Sequence, residues 1–326
     1  MAVEISKEKH RGKIGEVVLG ATSEEGGTRT HTITIGGDST LPFLQFEGDI
    51  PNKPVVALEV WDTRPETWNP VFENYYGDVF DDPAAWAKKA VEEYGAELIM
   101  LRLASADPEG KDASPEECAE NLKKVLGAVG VPIIVYGCGN NEKDNQVMPA
   151  VAEAGAGENL LLGVAEQENY KALTSSCMAN QHNVVAQSPI DINICKQLNI
   201  LIIEMSAAMG NRIVIDPTVA ALGYGIEYSY SIMERARLGA LQGDKMLSMP
   251  SIGNIGGEVW KAKEANISEE ERPDWGELEG RGVNWETTTA MAYLQSGINL
   301  LVMRHPRALK IVKNHIEDLI QDNSYE

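Results

Sequence analysis

The chain has 326 residues, of which 43% are hydrophobic, so it is long enough and apolar enough to bury a substantial core. Its 28 basic and 49 acidic residues give a formal net charge of −21, which argues against nucleic-acid and membrane partners because negative charges repel phosphates and anionic lipids. The first residues, MAVEISKEKHRGK, lack the apolar centre of a signal peptide, and no run of eighteen apolar residues follows. We therefore expect a cytoplasmic protein.

The four cysteines are Cys118, Cys138, Cys177 and Cys195, and no two of them form a CxxC pair. Their spacing therefore predicts neither a zinc site nor an iron-sulfur cluster, and we expect no metal site in this chain. Free, buried thiols are the simplest interpretation.

Residues 1–53 contain three short apolar stretches, VVLG, HTITIGGDS and LPFLQFEG, which are separated by polar and Gly-rich segments. This pattern predicts short antiparallel strands. We expect them to form an N-terminal extension that plugs or caps one end of the domain that follows, residues 54–326.

From residue 54 the chain repeats one unit: a short run rich in Val, Ile and Leu, a polar or Gly/Pro turn, and a helical pattern. The eight apolar runs span residues 55–62, 96–105, 131–139, 159–167, 182–189, 212–218, 245–254 and 298–306. Helix starts are marked by Asp82-Pro83 and Ser114-Pro115, with Pro at the first helical position. Eight such units predict an α/β fold, a (β/α)8 TIM barrel. A doubly wound open sheet is the alternative, although no GxGxxG follows the first strand.

One segment, residues 256–286, is too long for an ordinary loop between the seventh strand and its helix. It carries Trp260, Trp275 and Trp285 among many charges. Long loops on this face are usually lids or partner surfaces, and exposed aromatic residues favour a partner surface. An insertion without a function of its own is an equally simple interpretation.

Active sites of barrels lie at the C-terminal ends of the strands. The residues at these predicted ends are Asp62, Arg102, Asn140, Glu166, Ser188, Asp216, Asn254 and His305. Asp62, Asn140 and Asp216 together suit a flat, amide-bearing heterocycle such as a pterin, or the polar rim of a large macrocycle. For Asp216, a turn residue that hydrogen-bonds its own loop is the structural alternative.

Other barrel chemistries have weaker support. Glu166 and Asp216 suggest part of a magnesium site and hence a magnesium-dependent lyase, but the intervening strand offers Gln187 or Ser188 instead of a third carboxylate. The glycines of SIGNIGGE, residues 251–258, suggest a phosphate site, but an acidic segment follows them. A Schiff-base lysine is not expected, because Lys53 and Lys245 lie at the N-terminal ends of their strands.

Three motifs resemble a known family: IGGDSTLPF (35–43), SPIDINICKQLN (188–199) and DPTVAALGYGIEYSYSIMERARLGAL (216–241). They resemble the small subunit of the corrinoid/iron-sulfur protein, to which the archaeal acetyl-CoA decarbonylase/synthase delta subunit is related. The resemblance spans essentially the whole chain.

The resemblance implies a (β/α)8 barrel related to pterin-dependent methyltransferases and paired, in an anaerobic organism, with a larger subunit. That subunit carries a [4Fe-4S] cluster and a corrinoid-binding domain, and the small subunit covers the cobalamin-type corrinoid. The corrinoid takes a methyl group from methyltetrahydrofolate on a methyltransferase and passes it to carbon monoxide dehydrogenase/acetyl-CoA synthase, in the reductive acetyl-CoA pathway of carbon fixation. This chain alone is then expected to lack a complete active site. The alternative is a barrel enzyme that binds methyltetrahydropterin and transfers the methyl group itself.

On this interpretation we expect the top of the barrel to face the corrinoid. Tyr224 and Tyr228 would add flat apolar area with a polar tip, although packing on the neighbouring helix explains them equally well. The predicted corrinoid-facing residues are Asp62, Arg102, Asn140, Ser188, Asp216, Tyr224, Tyr228, Asn254 and His305.

Overall fold

The computed structural model describes residues 6–321, and a barrel of parallel strands dominates it. Its strands are β1 (Glu16–Leu19), β2 (Ile33–Gly36), β3 (Val55–Trp61), β4 (Ile99–Arg102), β5 (Ile133–Tyr136), β6 (Leu161–Ala165), β7 (Asn183–Gln187), β8 (Ile213–Asp216), β9 (Ile252–Asn254) and β10 (Leu300–Met303). Strands β3 to β10 form one sheet in the order β8-β7-β6-β5-β4-β3-β10-β9. A parallel bridge between Ile215 and Ser251 brings its two edges together. The predicted (β/α)8 barrel is confirmed, with one strand in each of the eight apolar runs.

Helices connect the strands and surround the barrel. They are α1 (Glu73–Tyr76), α2 (Pro83–Glu92), α3 (Pro115–Ala128), α4 (Asn141–Ala154), α5 (Tyr170–Asn180), α6 (Ile192–Met205), α7 (Ile226–Leu241), α8 (Ile255–Val259), α9 (Lys263–Asn266), α10 (Leu278–Ser296) and α11 (Pro306–Ile320). The predicted starts of α2 and α3 are confirmed, because the Asp82 and Ser114 side chains accept hydrogen bonds from backbone N–H groups of the first turn. Within residues 6–321 no helix is both long and apolar enough to cross a membrane.

Two apolar cores lie on the two faces of the barrel sheet. Alternate residues of each strand, such as Leu58 and Val60, point outward and pack against the helices. The intervening residues, such as Ala57, point inward with Met100 and Val302 and fill the barrel. Because both faces are buried, the strands are apolar almost throughout.

The N-terminal segment forms an antiparallel hairpin, β1 and β2, at the N-terminal end of the barrel. Val17, Leu19 and Ile35 from this hairpin pack into the barrel interior. The Asn183 side chain, at the start of β7, donates to the carbonyl of Val18 at 2.9 Å. The expected plug is present, but the prediction of a third strand over residues 41–48 is wrong, because this stretch forms successive turns. The domain division at residue 53 stays a prediction.

The insertion, residues 256–286, folds as α8, α9, a short 3-10 turn and the first half of α10. Trp260 is buried, and its indole donates to Glu286 at 2.7 Å. Trp285 is half-buried and donates to the carbonyl of Leu222 at 3.0 Å. The expectation of exposed tryptophans is therefore wrong for these two residues, which attach the insertion to the barrel. Trp275 is half-buried under the Arg272 guanidinium, 3.9 Å from the ring centre.

All four cysteines are free thiols. Cys118, Cys177 and Cys195 are buried, as predicted, whereas Cys138 is half-buried in the loop after β5. Its thiol donates to Asp144 at 3.2 Å.

Candidate functional site

A cavity of about 270 Å³ opens at the C-terminal end of the barrel. Most of its polar lining comes from the last inward-facing residues of the strands. These residues can be recognised because side chains alternate between the two faces of a strand. In β3, for example, Ala57 packs inside the barrel, and Glu59 and Trp61 follow it at intervals of two residues. The strand-end residues in the lining are Glu59, Trp61, Arg102, Tyr136, Gln187, Asp216, Asn254 and Arg304.

One side of the cavity, which we call the paired wall, consists of Glu59, Trp61 and Arg304. The Arg304 guanidinium donates to Glu59 at 2.8 Å, and the Trp61 indole donates to the same carboxylate at 2.9 Å. Burial opposes ionisation of Glu59, but Arg304, the Trp61 hydrogen bond and Arg102 outweigh it and lower its pKa. Arg304 also lies 4.1 Å from the centre of the Trp68 ring. Charges on this wall are therefore neutralised within the fold.

A second side, which we call the open wall, consists of Tyr136, Gln187 and Asp216. Asp216 is 3% exposed and accepts hydrogen bonds from the Gln187 amide and the Thr218 backbone, each at 2.9 Å. Within residues 6–321 it has no salt bridge. Burial, opposed by these hydrogen bonds but supported by Glu258 and Glu166, raises its pKa to about 6.

Tyr136 completes the open wall with a hydroxyl group that is deeply buried. The residue is 5% exposed, and its hydroxyl has no hydrogen-bond partner among the described residues. Burial first, and then the negative charge of Asp216, raise its pKa well above the ordinary value. The hydroxyl therefore stays protonated at neutral pH and remains a hydrogen-bond donor.

The loop after β8 holds the open wall in place by means of a strained residue. Thr218 has a φ angle of 63°, which is rare for a β-branched side chain. Its backbone N–H binds Asp216, and its hydroxyl donates to the carbonyl of Ser188 at 2.7 Å. Its carbonyl accepts from Ser229 of α7 at 2.6 Å. Such strain is concentrated at functional sites, where surrounding contacts compensate for it.

Three of the nine predicted site residues line the cavity: Arg102, Asp216 and Asn254. Arg102 donates to the carbonyl of Cys138 at 2.9 Å. The Asn254 side chain accepts from the N–H of Gly257 at 2.9 Å and thereby caps α8. The sequence thus identified one residue on the open wall and two beside it.

Three other predicted residues lie off the cavity for one physical reason, and their contact with a corrinoid stays a prediction. Asp62, Ser188 and His305 each stand one position after an inward-facing residue, so their side chains point to the opposite side of the sheet. Asp62 accepts from the Ser105 backbone at 2.8 Å, and Ser188 is buried. His305 is 0% exposed and caps α11; burial lowers its pKa to about 4, so it is neutral.

The last three predicted residues lie at the surface of the same end of the barrel. Asn140 is exposed and caps α4 by accepting from Lys143. Tyr224 is 49% exposed, and its hydroxyl donates to Glu264 of the insertion at 2.8 Å. Tyr228 is 61% exposed in the first turn of α7. Their contact with a corrinoid stays a prediction.

The cavity contains neither the whole pterin trio nor both members of the weakly supported magnesium pair, Glu166 and Asp216. Of Asp62, Asn140 and Asp216, the cavity contains only Asp216. Glu166 accepts from Asn141 at 2.8 Å. Among residues 6–321 no group of three or more His, Cys, Asp or Glu side chains is placed to hold a metal ion.

Sequence reasoning missed Glu59, Trp61, Tyr136 and Arg304, and it named Gln187 only as an alternative to a third carboxylate of the magnesium site. Glu59 and Arg304 were detectable, since a charge inside an apolar strand run is unusual and points to a paired or functional group. Tyr136 and Gln187 follow their inward-facing neighbours by two residues, but that alternation is invisible when both faces of a strand are apolar.

Comparison with known proteins identifies the family. The profile of the family described as CO dehydrogenase/acetyl-CoA synthase delta subunit matches residues 16–318. The chain belongs to this delta-subunit family. The matched segment includes the hairpin, the whole barrel and the insertion, so the resemblance stated from the three motifs is confirmed at the family level.

Two relatives illustrate the similarity to this family. The chain is 40% identical over 311 residues to the acetyl-CoA decarbonylase/synthase complex subunit delta of Archaeoglobus fulgidus, covering 94% of this chain and 68% of the relative. It is 39% identical over 307 residues to the corresponding subunit of Methanocaldococcus jannaschii, covering 94% and 74%.

The fold of this delta-family chain is similar to that of dihydropteroate synthases. The Xanthomonas albilineans enzyme, solved with 4-aminobenzoic acid, aligns with a TM-score of 0.54 at 16% identity over 87% of this chain and 99% of the other. The Thermus thermophilus enzyme aligns with a TM-score of 0.52 at 16% identity over 86% and 100%. At this identity the likeness concerns the barrel fold alone.

Proposed function

We propose that this chain is the small subunit of a heterodimeric corrinoid/iron-sulfur methyl carrier and that the top of its barrel covers the corrinoid. The larger subunit would carry the corrinoid and a [4Fe-4S] cluster. A methyltetrahydrofolate methyltransferase would supply the methyl group, and carbon monoxide dehydrogenase/acetyl-CoA synthase would receive it. The match of the delta-subunit family to residues 16–318 is the observation that carries the proposal.

The dimensions of the cavity fit a covering role. Pockets that enclose drug-sized ligands have volumes of roughly 300–1,000 Å³. A corrinoid is larger than such ligands, so a cavity of about 270 Å³ accommodates at most part of it. A flat macrocycle would therefore rest on the mouth, where Lys261 and Glu258 at the rim and the half-exposed Arg102 provide polar contacts.

When bound, the corrinoid supplies a cobalt ion that accepts and donates a methyl group. The residues of this chain would orient the macrocycle and exclude water from its inner face. Tyr224 and Tyr228 provide exposed aromatic area beside the mouth, which suits contact with a partner domain. Because the insertion is anchored by Trp260 and Trp285, we assign the opening and closing of the site to the partner and not to this chain.

Reconstitution tests the proposal. The purified chain is mixed with the large subunit, and the ultraviolet-visible spectrum of the complex is compared with that of the chain alone. We expect a stoichiometric corrinoid spectrum only with the complex. Tight corrinoid binding by the chain alone, or a colourless complex, would contradict the proposal.

A matched pair of charge reversals locates the interface. Lys261 lines the mouth, and its side chain is 71% exposed, whereas Lys123 is exposed on α3 outside the cavity. We expect Lys261→Glu to weaken assembly about tenfold and Lys123→Glu to leave it within about twofold, since like charges in a contact repel while distant charges are screened. Equal effects of the two variants would place the partner elsewhere.

The second candidate is a barrel enzyme that binds methyltetrahydropterin and transfers the methyl group itself. The open wall favours it, because Asp216 and Gln187 offer the acceptors and donors that an amide-bearing heterocycle requires. Calorimetric titration of the chain with methyltetrahydrofolate distinguishes the candidates. Heat of binding that is lost in Asp216→Asn would support the enzyme, whereas no heat at millimolar ligand removes it.

A further inference from the structure

The open wall contains an unused acceptor beside an unused donor. Each Asp216 oxygen accepts one hydrogen bond, from Gln187 or from Thr218, and a carboxylate oxygen has room for a second. Among the described residues the Tyr136 hydroxyl makes no hydrogen bond of ordinary geometry, although, besides burial, the charge of the nearby Asp216 carboxylate and hydrogen bonding toward it raise the pKa of the hydroxyl. Buried polar groups are nearly always hydrogen-bonded in native proteins, so an orphan hydroxyl in a cavity indicates a missing partner.

The missing partner must match this pair of groups. A primary carboxamide, –CONH2, presents an N–H donor and a carbonyl acceptor side by side, so it can donate to Asp216 while it accepts from Tyr136. A carboxylate ligand fails, because it has no donor and its charge opposes Asp216. An isolated cation would satisfy Asp216 but would leave the hydroxyl donor of Tyr136 unpaired.

We propose that Tyr136, Gln187 and Asp216 form a carboxamide-binding site, and that a peripheral carboxamide arm of the corrinoid enters it. The source of the carboxamide rests on the proposed function: corrinoids carry acetamide and propionamide arms around the ring, and a ring lying over the mouth would direct one of them into the cavity. The volume of about 270 Å³ accommodates such an arm although it cannot enclose the ring. The site would fix the rotation of the macrocycle relative to the barrel.

Cobalamin derivatives test this inference. The complex of this chain with corrinoid-free large subunit is titrated with hydroxocobalamin and with derivatives in which one carboxamide has been hydrolysed to a carboxylate. We expect one derivative to bind on the order of tenfold more weakly than hydroxocobalamin, since an unpaired, repelled charge replaces a hydrogen bond.

Two variants assign that loss to the open wall. In Asp216→Asn the weakened derivative should recover to within about threefold of hydroxocobalamin, because the new amide can donate to a carboxylate. Tyr136→Phe should weaken hydroxocobalamin itself several-fold, since the arm loses its donor. Asp62→Asn is the matched control, because it changes another buried strand-end carboxyl in the same way but off the cavity. This variant should still bind the hydrolysed derivative more weakly than hydroxocobalamin, as wild type does. Thermal unfolding verifies that each variant is folded.

The outcomes separate the inference from the proposed function. If every derivative binds the wild-type complex within twofold of hydroxocobalamin, the carboxamide site is overturned while the carrier function stands. If methyltetrahydrofolate binds the chain alone and Asp216→Asn abolishes that binding, the ligand of the open wall is a pterin, and the proposal that a corrinoid arm binds there is overturned. If the complex takes up no corrinoid, both proposals fail.

Discussion

On the paired wall of the cavity, Glu59 ionises beside Arg304, whereas on the open wall Asp216 is equally buried and, within the described residues, has no cation. The Glu59 carboxyl has a lowered pKa and the Asp216 carboxyl a raised one, although both are inward-facing residues near the C-terminal ends of strands in the same barrel. The difference separates a carboxylate that is neutralised by a cation of the fold from one that has no such cation and that we propose binds a ligand. Buried titratable groups that have a perturbed pKa and no counter-ion within the fold are therefore candidates for a functional role.

Removing the Glu59–Arg304 ion pair of the paired wall should have the largest effect on the free energy of unfolding. In Arg304→Met, Glu59 keeps its burial but loses its counter-ion, and an uncompensated buried charge costs about 3–5 kcal/mol. Urea unfolding at pH 7 measures this loss. The double variant Glu59→Gln/Arg304→Met should recover much of it, because no unpaired charge remains. A loss below about 1 kcal/mol in the single variant would mean that Glu59 is solvated.

The contribution of Asp216 to the stability of the fold should decrease as pH rises, whereas that of Glu59, whose pKa is lowered, should decrease as pH falls. Asp216 titrates at about 6 in the folded chain, above its ordinary value of 3.8, so the folded state favours the protonated form. Stability is therefore lost as pH rises from about 4 through 6, by up to about 3 kcal/mol. Asp216→Asn removes this loss, so its stability relative to wild type should increase over that range.

The other titratable groups near Asp216 are the same in wild type and in the variant, so the difference in stability between the two proteins reports on Asp216. It is faced by Glu258, Glu166, Gln187 and Tyr136, all of which remain in the variant. Glu286 is also buried, with a pKa raised to about 7, but it is present in both proteins, so its contribution cancels from the difference. The measurement is the free energy of unfolding of the two proteins at pH 4, 5, 6, 7 and 8. A difference that does not change with pH would show that Asp216 is hydrated or neutralised.

The sequence predicted the barrel well because repetition is a strong signal. Eight apolar runs and capped helix starts at Asp82 and Ser114 are local patterns, and each was found in place. The stretch 41–48 has apolar residues as frequently as a strand does, which explains the wrong prediction, but it forms successive turns.

The site was harder to predict because the side chains of successive strand residues point to opposite faces of the sheet, so an error of one residue selects the wrong face. Asp62, Ser188 and His305 stand one position beyond the residues that face the cavity, and a shift by one residue moves a side chain to the other side of the sheet. The Glu59–Arg304 pair joins residues 245 positions apart, so only closure of the barrel brings them together. No local pattern contains that information.

Tyr136→Phe should have the smallest effect on stability, and it tests whether the Tyr136 hydroxyl lacks a hydrogen-bond partner in the folded protein. Removing a buried hydroxyl that has no partner avoids its desolvation, so we expect a gain of up to about 1 kcal/mol. Tyr293→Phe is the matched control: its hydroxyl accepts from the Ala220 N–H at 2.8 Å and donates to the Ala220 carbonyl at 2.9 Å. This control should lose about 1–2 kcal/mol. Equal losses in urea unfolding would mean that a bound water already satisfies Tyr136, whereas a stable variant with weakened corrinoid binding would place the hydroxyl in recognition and not in folding.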